Sequence, residues 1–214
     1  MTTRYYTPVD VLLINLDQAL RTVFGRPTTT GRTNPATTMP VTELSPEARQ
    51  RAGRLMRVNH SGEVCAQALY QGQALTARLN AVRGQMEQAS NEENDHLAWC
   101  AARLKDLDTR PSLLNPLFYT GALTIGALAG KAGDRWSLGF VAETERQVVQ
   151  HLNTHLERLP SEDQSSRAIL EQMREDEARH ATGALAAGGA TLPLPVRVLM
   201  RGMSKVMTQT TYWV

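Results

Sequence analysis

Hydrophobic positions recur three and four residues apart along most of this chain, which is the spacing of helices with one buried face. Segments with the alternating, β-branched pattern of strands are absent from the sequence. The pattern therefore predicts an all-α protein with four long helices. These helices cover about residues 46–78, 81–108 and 134–159, and a last stretch from a capping box at Ser161–Gln164 to Gly188.

The chain before residue 45 contains two different kinds of segment. Residues 7–25 predict a short amphipathic helix, with Thr7 as its cap and Gly25 near its end. Residues 26–40 are rich in threonine and proline and contain no acidic residue, which predicts a linker without helix or strand. These patterns predict three parts: an N-terminal amphipathic helix (1–25), a linker (26–44) and one helical domain (45–214).

Composition and charge exclude several classes of protein. The chain has 214 residues, of which 42% are hydrophobic and 21% are charged, so it is long enough and apolar enough for a buried core. A formal net charge of +2 gives no reason to expect a nucleic-acid partner. Cys65 and Cys100 are too few for a disulfide scaffold. The pattern of residues predicts neither a signal peptide nor a clear membrane span.

Acidic residues occupy helix faces that should be buried. Glu145 shares its face with valine and leucine residues, and Glu93 and Glu177 lie on similar apolar faces of their helices. Glu143, in contrast, shares a face with polar residues and is predicted to be solvated. Because a buried carboxylate without a partner is costly, a bound cation is the simplest common explanation.

The spacing of these acids predicts a dinuclear metal centre. Two Glu-x-x-His pairs each place a carboxylate and an imidazole on one helix face, and each pair follows a lone glutamate on the preceding helix. This order is that of di-iron and di-manganese carboxylate bundles, which predicts a ferritin-like four-helix bundle, and the donor set suits iron. The six candidate ligands are Glu63, Glu93, His96, Glu145, Glu177 and His180.

Three further residues are candidates for contacts behind the ligands. Asp176 and Glu92 each directly precede a candidate glutamate, and we expect Asp176 to hold His96 and Glu92 to hold His180. The alternative for both is an ordinary solvated charge. His60 lies one turn before Glu63, either as a donor to the centre or as a core histidine bonded elsewhere.

Three segments carry the candidate ligands of the first, second and fourth long helices, namely residues 57–73 (RVNHSGEVCAQALYQGQ), 91–100 and 171–181. They resemble the first-ligand motif and the two Glu-x-x-His helices of the demethoxyubiquinone hydroxylase family, the di-iron monooxygenases of ubiquinone biosynthesis. Residues 145–155 resemble its third helix. The resemblance covers about residues 50–214, and the segment before it resembles the longer bacterial branch.

The resemblance implies both a reaction and a set of roles. The six candidate residues would bind two iron ions with bridging carboxylates, and His151 would lie near the quinone. The implied reaction is a flavin-independent hydroxylation of a polyprenylated methoxy-methyl-benzoquinol, with dioxygen as co-substrate and electrons from NADH or the reduced quinone. The resemblance is also compatible with a lipid-presenting or ubiquinone-biosynthesis partner protein and with a homo-oligomer.

Two segments fit a substrate with a prenyl tail. Residues 112–130 are uncharged and could form an interfacial element or tail channel, or else a buried connecting helix. Residues 192–207 carry Arg197, Arg201 and Lys205 on one face, which suits anionic lipid or, alternatively, docking onto the bundle. We therefore expect extra membrane-associating helices and a peripheral location on the cytoplasmic face of the bacterial inner membrane.

Three other functions compete with this interpretation. A transfer-RNA hydroxylase of similar fold should carry a basic surface, which the net charge does not suggest. An iron-storage or peroxide-scavenging protein should be cage-like or carry paired Cys-x-x-Cys motifs, and the chain has no such motif. A purely structural helical protein at a membrane surface would leave the buried glutamates unexplained.

Overall fold

The computed structural model describes residues 7–214, and this part of the chain consists of helices with no strand. Seven α-helices occur in it, together with one short 3-10 helix, Pro35–Thr38. The α-helices are α1 (Pro8–Phe24), α2 (Pro46–Thr76), α3 (Asn80–Asp106), α4 (Asn115–Ala132), α5 (Asp134–Arg158), α6 (Gln164–Ala186) and α7 (Leu194–Thr211). The all-α prediction is confirmed.

The structure differs from the prediction at the start of α6 and in the linker. The predicted capping box at Ser161 is wrong, because Asp163 caps α6 and accepts a hydrogen bond from the Ser166 amide at 2.9 Å. Arg103 of α3 also donates to Asp163 at 2.7 Å and fixes the helix start there. The linker was predicted to contain no helix, but Asn34 caps the short 3-10 helix by accepting from the Ala36 amide.

The four long helices α2, α3, α5 and α6 form the bundle, and its interior has two apolar ends. One end combines the first half of α2 and α6 with the second half of α3 and α5, around residues such as Leu55, Leu104 and Met173. The other end includes Tyr70, Met86 and their neighbours. This arrangement makes α2 and α6 parallel to each other and antiparallel to α3 and α5. The space between the two apolar ends is left for polar residues.

Helix α4 makes the long connection from α3 to α5 and packs closely against α2. A Cβ atom added at Gly126 would lie 2.3 Å from the carbonyl oxygen of Leu69, and one added at Gly72 would lie 2.3 Å from that of Leu123. Only glycine permits backbones to approach this closely. The contact makes α2 and α4 one continuous wall beside the bundle interior.

Helix α7 lies against α2 and α5 and carries a contact that was not predicted. Glu143 is only 5% exposed, so its predicted solvation is wrong. Its Oε2 lies 3.2 Å from Arg197 Nε of α7 and 3.4 Å from Arg146 Nη1. Arg197 is therefore paired with the bundle, which leaves Arg201 and Lys205 as the exposed cations of the predicted stripe.

The remaining helices leave many apolar side chains exposed. Helix α1 rests on α2, where Gln71 Nε2 donates to the Asn15 carbonyl at 2.9 Å, but its leucines face outward. Exposed leucine, valine and methionine side chains also occur on α4 and α7. Within residues 7–214, none of the helices combines the length and the hydropathy that a membrane crossing requires.

Candidate metal centre

The six predicted ligands meet in the middle of the bundle, between its two apolar ends. Helix α2 brings Glu63, α3 brings Glu93 and His96, α5 brings Glu145, and α6 brings Glu177 and His180. Ligand atoms of Glu63, Glu93, His96 and Glu177 all lie within 4.8 Å of one another. The amphipathic spacing that buries each helix face carries these side chains inward.

The two imidazoles point the same ring nitrogen into the cluster. His96 Nδ1 lies 3.0 Å from Glu93 Oε2, 3.3 Å from Glu177 Oε1 and 3.5 Å from Glu63 Oε2. His180 Nδ1 lies 3.2 Å from Glu93 Oε1 and 3.5 Å from Glu177 Oε2. Glu145 lines the same cavity as Glu63 and Glu177, and its Oε1 accepts a hydrogen bond from the Tyr70 hydroxyl.

The opposite nitrogen of each imidazole is held by an acidic residue on the facing helix. His96 Nε2 lies 2.9 Å from Asp176 Oδ2, and His180 Nε2 lies 3.0 Å from Glu92 Oε2. These are the two pairings that the sequence predicted. A proton on Nε2 that is donated to the carboxylate leaves the Nδ1 lone pair directed at the cluster, as a metal ligand requires. Arg179 Nη2 lies 2.9 Å from a carboxylate oxygen of both Glu92 and Asp176.

His60, the third candidate, bonds away from the cluster. Its Nδ1 lies 3.4 Å from Asn115 Nδ2 at the start of α4. Its position on α2 turns the ring toward that helix end, so a donor role toward the centre, one of the two interpretations of this residue, is wrong. Burial lowers the pKa of His60 to about 4. His60 is therefore a core histidine, which was the other interpretation.

Crowding in the cluster shifts the pKa values of its carboxyl groups and imidazoles, raising some and lowering others. Burial and neighbouring carboxylates raise the pKa of Glu63 and Glu145 well above the ordinary value for glutamate. Burial opposes the charge on the imidazoles, but the surrounding carboxylates outweigh it and raise the pKa of His96, and that of His180 to about 12. Burial also opposes ionisation of Glu93 and Glu177, yet the two imidazoles lower the pKa of both.

The donor atoms of the cluster fit a metal. Buried atoms without any hydrogen-bond partner include Glu63 Oε2, Glu93 Oε1, Glu177 Oε2 and His180 Nδ1. Such a concentration of unpaired buried polar atoms costs free energy unless a cation binds them. Carboxylate oxygens with two imidazole nitrogens suit iron or manganese. The cluster is therefore compatible with metal binding.

A cavity of about 610 Å³ leads from the cluster to the surface between α2, α4, α5 and α7. Its inner end is lined by Glu63, Glu145 and Glu177, and the rest of its lining is largely apolar. His151 lies in its wall, with a buried Nε2 that has no hydrogen-bond partner. Burial lowers the pKa of His151 to about 4. The cavity could therefore hold an apolar molecule with a polar ring next to the cluster.

Three residues around the site are not among the candidates named from the sequence. Tyr70 is one of them, although its position seven residues after Glu63 on α2 is a signal that it shares the inward face. His155 is another, and it is buried, with Nδ1 2.9 Å from Asn59 Oδ1 and its ring centroid 3.8 Å from that of His151. Arg32 of the linker, which carried no signal, reaches Asp176.

Comparison with known proteins assigns the chain to a family. The family model described as "Ubiquinone biosynthesis protein COQ7" matches residues 50–211, a region that contains all six candidate ligands. The chain belongs to this family. The match extends the resemblance from the separate motifs to most of the helical domain.

Relatives of this COQ7-family chain are similar along nearly their whole length. The 3-demethoxyubiquinol 3-hydroxylase of Nitrosococcus oceani is 58% identical over 99% of each chain. That of Cupriavidus taiwanensis is 61% identical over 95% of this chain and 99% of its own. That of Azotobacter vinelandii is 58% identical over 98% of this chain and 97% of its own.

A solved structure places the COQ7-family fold among ferritin-like proteins. The chain resembles a dodecameric thioferritin, the bacterioferritin-related protein from Bacteroides fragilis, with a TM-score of 0.53 and 17% identity. The match covers 67% of this chain and 88% of the other. At this identity the likeness concerns the fold, and it confirms the predicted ferritin-like bundle.

Proposed function

We propose that this protein is a 3-demethoxyubiquinol 3-hydroxylase that acts in ubiquinone biosynthesis as a flavin-independent di-iron monooxygenase. The observation that carries the proposal is a buried glutamate and histidine cluster at the inner end of a largely apolar cavity. The names of its near-full-length relatives support the same substrate, a polyprenylated methoxy-methyl-benzoquinol.

Two iron ions would be held by the six residues of the cluster, one beside His96 and one beside His180. When bound, this iron supplies the activation of dioxygen, so that one oxygen atom enters the ring and the other is reduced to water. That reduction takes two electrons and two protons, and we propose NADH or the reduced quinone as their source. Asp176 and Glu92 would orient the two imidazoles toward the iron.

The cavity residues would place the ring and keep water from it. Because the lining is mainly apolar, moving a prenylated ring from water into the cavity is favourable in free energy. His151 stays neutral at physiological pH because its pKa is lowered to about 4, so its unpaired Nε2 can bond a ring oxygen as a neutral group. Its contact with the His155 ring holds it in the wall.

The reaction itself is the direct test. Iron-loaded protein with a short-chain demethoxyubiquinol, dioxygen and NADH should form the hydroxylated quinol, and isotopically labelled dioxygen should deliver one atom to the product. Oxidation of ferrous ion without any labelled quinol would instead support the iron-storage or peroxide-scavenging alternative and refute the hydroxylase.

Iron binding should be coupled to proton release. The raised pKa values of His96, His180, Glu63 and Glu145 favour the protonated forms of these groups in the metal-free protein, and iron binds only their deprotonated forms. Affinity should therefore fall as pH falls, by more than about ten-fold per pH unit if more than one proton is displaced. Calorimetric titration in buffers of different ionisation enthalpy counts the protons, and zero release would contradict this protonation state.

We further propose that the mouth of the cavity rests on a lipid surface. Leu117, Leu199, Met203 and Val206 line the cavity and are also between 46% and 67% exposed, so the apolar lining continues onto the outside of α4 and α7. An apolar exposed patch of this kind is typical of membrane or protein contacts. Arg201 and Lys205 next to it would favour anionic lipid, as on the cytoplasmic face of an inner membrane.

Vesicle sedimentation tests this surface. The protein should sediment with anionic vesicles at low salt, and Lys205→Glu should weaken binding because it removes one cation next to the apolar surface and adds an anion. Arg49→Glu, an exposed change of equal charge at the start of α2, should bind like the unmodified protein. Failure to bind anionic vesicles at low salt, or equal losses in both variants, would contradict the proposal.

A further inference from the structure

The linker (residues 26–44) reaches the back of the metal cluster. It lies outside the region matched by the family model, which begins at residue 50. Thr30 donates from its amide to Asp95 Oδ1 at 2.8 Å, and its hydroxyl bonds the other oxygen of the same carboxylate. Arg32 Nη2 lies 2.6 Å from Asp176 Oδ2. The linker is thus bonded to the two helices that carry Glu-x-x-His pairs.

Arg32 contacts Asp176 and Trp99, two residues that pack against His96. Asp176 Oδ2 accepts from Arg32 and also bonds His96 Nε2. The Arg32 guanidinium lies 5.1 Å from the centre of the Trp99 ring, and that ring lies 5.4 Å from the His96 ring. An arginine bound to a carboxylate and to an aromatic face has little rotational freedom.

The carboxylate of Asp176 depends on these donors for a fixed orientation. Its side chain is fully buried, so water contributes little to its solvation. Its Oδ1 is bonded by Gln172 and Arg179, while Oδ2 is shared by His96 and Arg32. The Arg32 side chain is 32% exposed and that of Arg179 is 58% exposed, so Arg32 is the better shielded partner and the stronger electrostatic one.

The other half of the cluster has no such support. His180 is held by Glu92, which accepts from Arg179 and from Gln88 of its own helix. No contact with a linker residue is found at Glu92 among residues 7–214. Each half of the cluster has one histidine held by one acidic residue. Arg32 contacts the acidic residue behind His96 and not the one behind His180.

We propose that Arg32 is a positioning residue that fixes the Asp176–His96 pair and so makes the two metal positions unequal. This inference rests on the proposed metal centre and concerns how the linker acts on it. With Arg32 in place, the imidazole of His96 is presented to its metal in one orientation. Without it, Asp176 can rotate, and the metal beside His96 binds more weakly, while the metal beside His180 is unaffected.

Metal titration of the purified full-length chain tests the proposal without turnover. Metal-free protein is titrated with ferrous ion under anaerobic conditions and, separately, with cobalt(II), whose visible absorption reports its ligands. The unmodified protein should bind two ions. Arg32→Gln should weaken one of the two by about ten-fold or more and change the absorption of that ion only. Arg32→Lys, which keeps the charge, should recover part of the loss.

Two controls separate positioning from a general effect on folding. Thr30→Val removes the hydroxyl contact with Asp95 and leaves Asp176 untouched, so it should bind both ions normally. In an Asp176→Asn background, Arg32→Gln should add little further loss, because the two residues act through one contact. Unchanged binding of both ions in Arg32→Gln, or equal weakening of both ions in Arg32→Gln and Thr30→Val, would overturn the inference. If the unmodified protein binds no metal, the proposed centre itself is wrong.

Discussion

Replacing Glu177 with alanine is expected to reduce bound iron from about two ions per chain to near zero. Glu177 lies between the two imidazoles, with Oε1 3.3 Å from His96 Nδ1 and Oε2 3.5 Å from His180 Nδ1. A carboxylate in this position would be a ligand for both proposed metals, so its loss would weaken the binding of each. Hydroxylation of the quinol should disappear with the iron, and the iron-dependent rise in melting temperature should disappear as well.

The same helix supplies a matched control for this experiment. Glu175 is exposed and lies two residues before Glu177, so Glu175→Ala changes the charge of α6 equally without touching the cluster. It should retain iron and activity. Iron content is measured by elemental analysis after anaerobic loading, and circular dichroism checks that both variants are folded. A folded Glu177→Ala protein with two tightly bound irons would refute the proposed ligand set.

Filling the cavity should stop turnover without removing iron. Gly62 lines the cavity on α2, and a Cβ atom added there meets no other atom within 4 Å. The side chain introduced by Gly62→Phe can therefore enter the cavity beside Glu63 without a steric clash at its Cβ. We expect quinol hydroxylation to fall by roughly 100-fold or more, because the ring can no longer approach the cluster. Iron content should stay near that of the unmodified protein.

Gly84→Phe is the matched control for the cavity variant. Gly84 is also a helical glycine with open space at its Cβ position, but it is exposed on α3 away from the cavity. It should leave both iron content and turnover unchanged. Full turnover in Gly62→Phe would show that the substrate reaches the iron by another path. Loss of iron in Gly62→Phe would mean that the variant disturbs the cluster and not only access to it.

Local rules of helix formation explain how much of this fold the sequence predicts. Helix ends at proline and glycine, and the inward faces of α2, α3, α5 and α6, follow from the order of residues alone. The meeting of Glu63, Glu145 and the two Glu-x-x-His pairs follows as well, because a bundle that buries these faces brings them to one level. The pairings of His96 with Asp176 and of His180 with Glu92 follow from neighbouring helices at that same level.

Long-range contacts account for what the sequence does not predict. Glu143 has polar neighbours on its own helix, and only the arrival of Arg197 on α7 buries it. Arg32 lies in a segment without periodicity, 144 positions before Asp176, so no local pattern connects them. The start of α6 at Asp163 depends on Arg103, a residue 60 positions earlier. In each case a partner from another element decides the structure.

The reciprocal contacts between α3 and α6 also limit how this protein can change in length. Glu92 and Asp176 each precede a candidate ligand and each hold the histidine of the opposite helix. One residue inserted into either helix would turn everything beyond it by about 100° and break the pairs together. Insertions and deletions in natural variants should therefore be confined to the connections between helices, whereas the spacing from Glu92 to His96 and from Asp176 to His180 should stay constant.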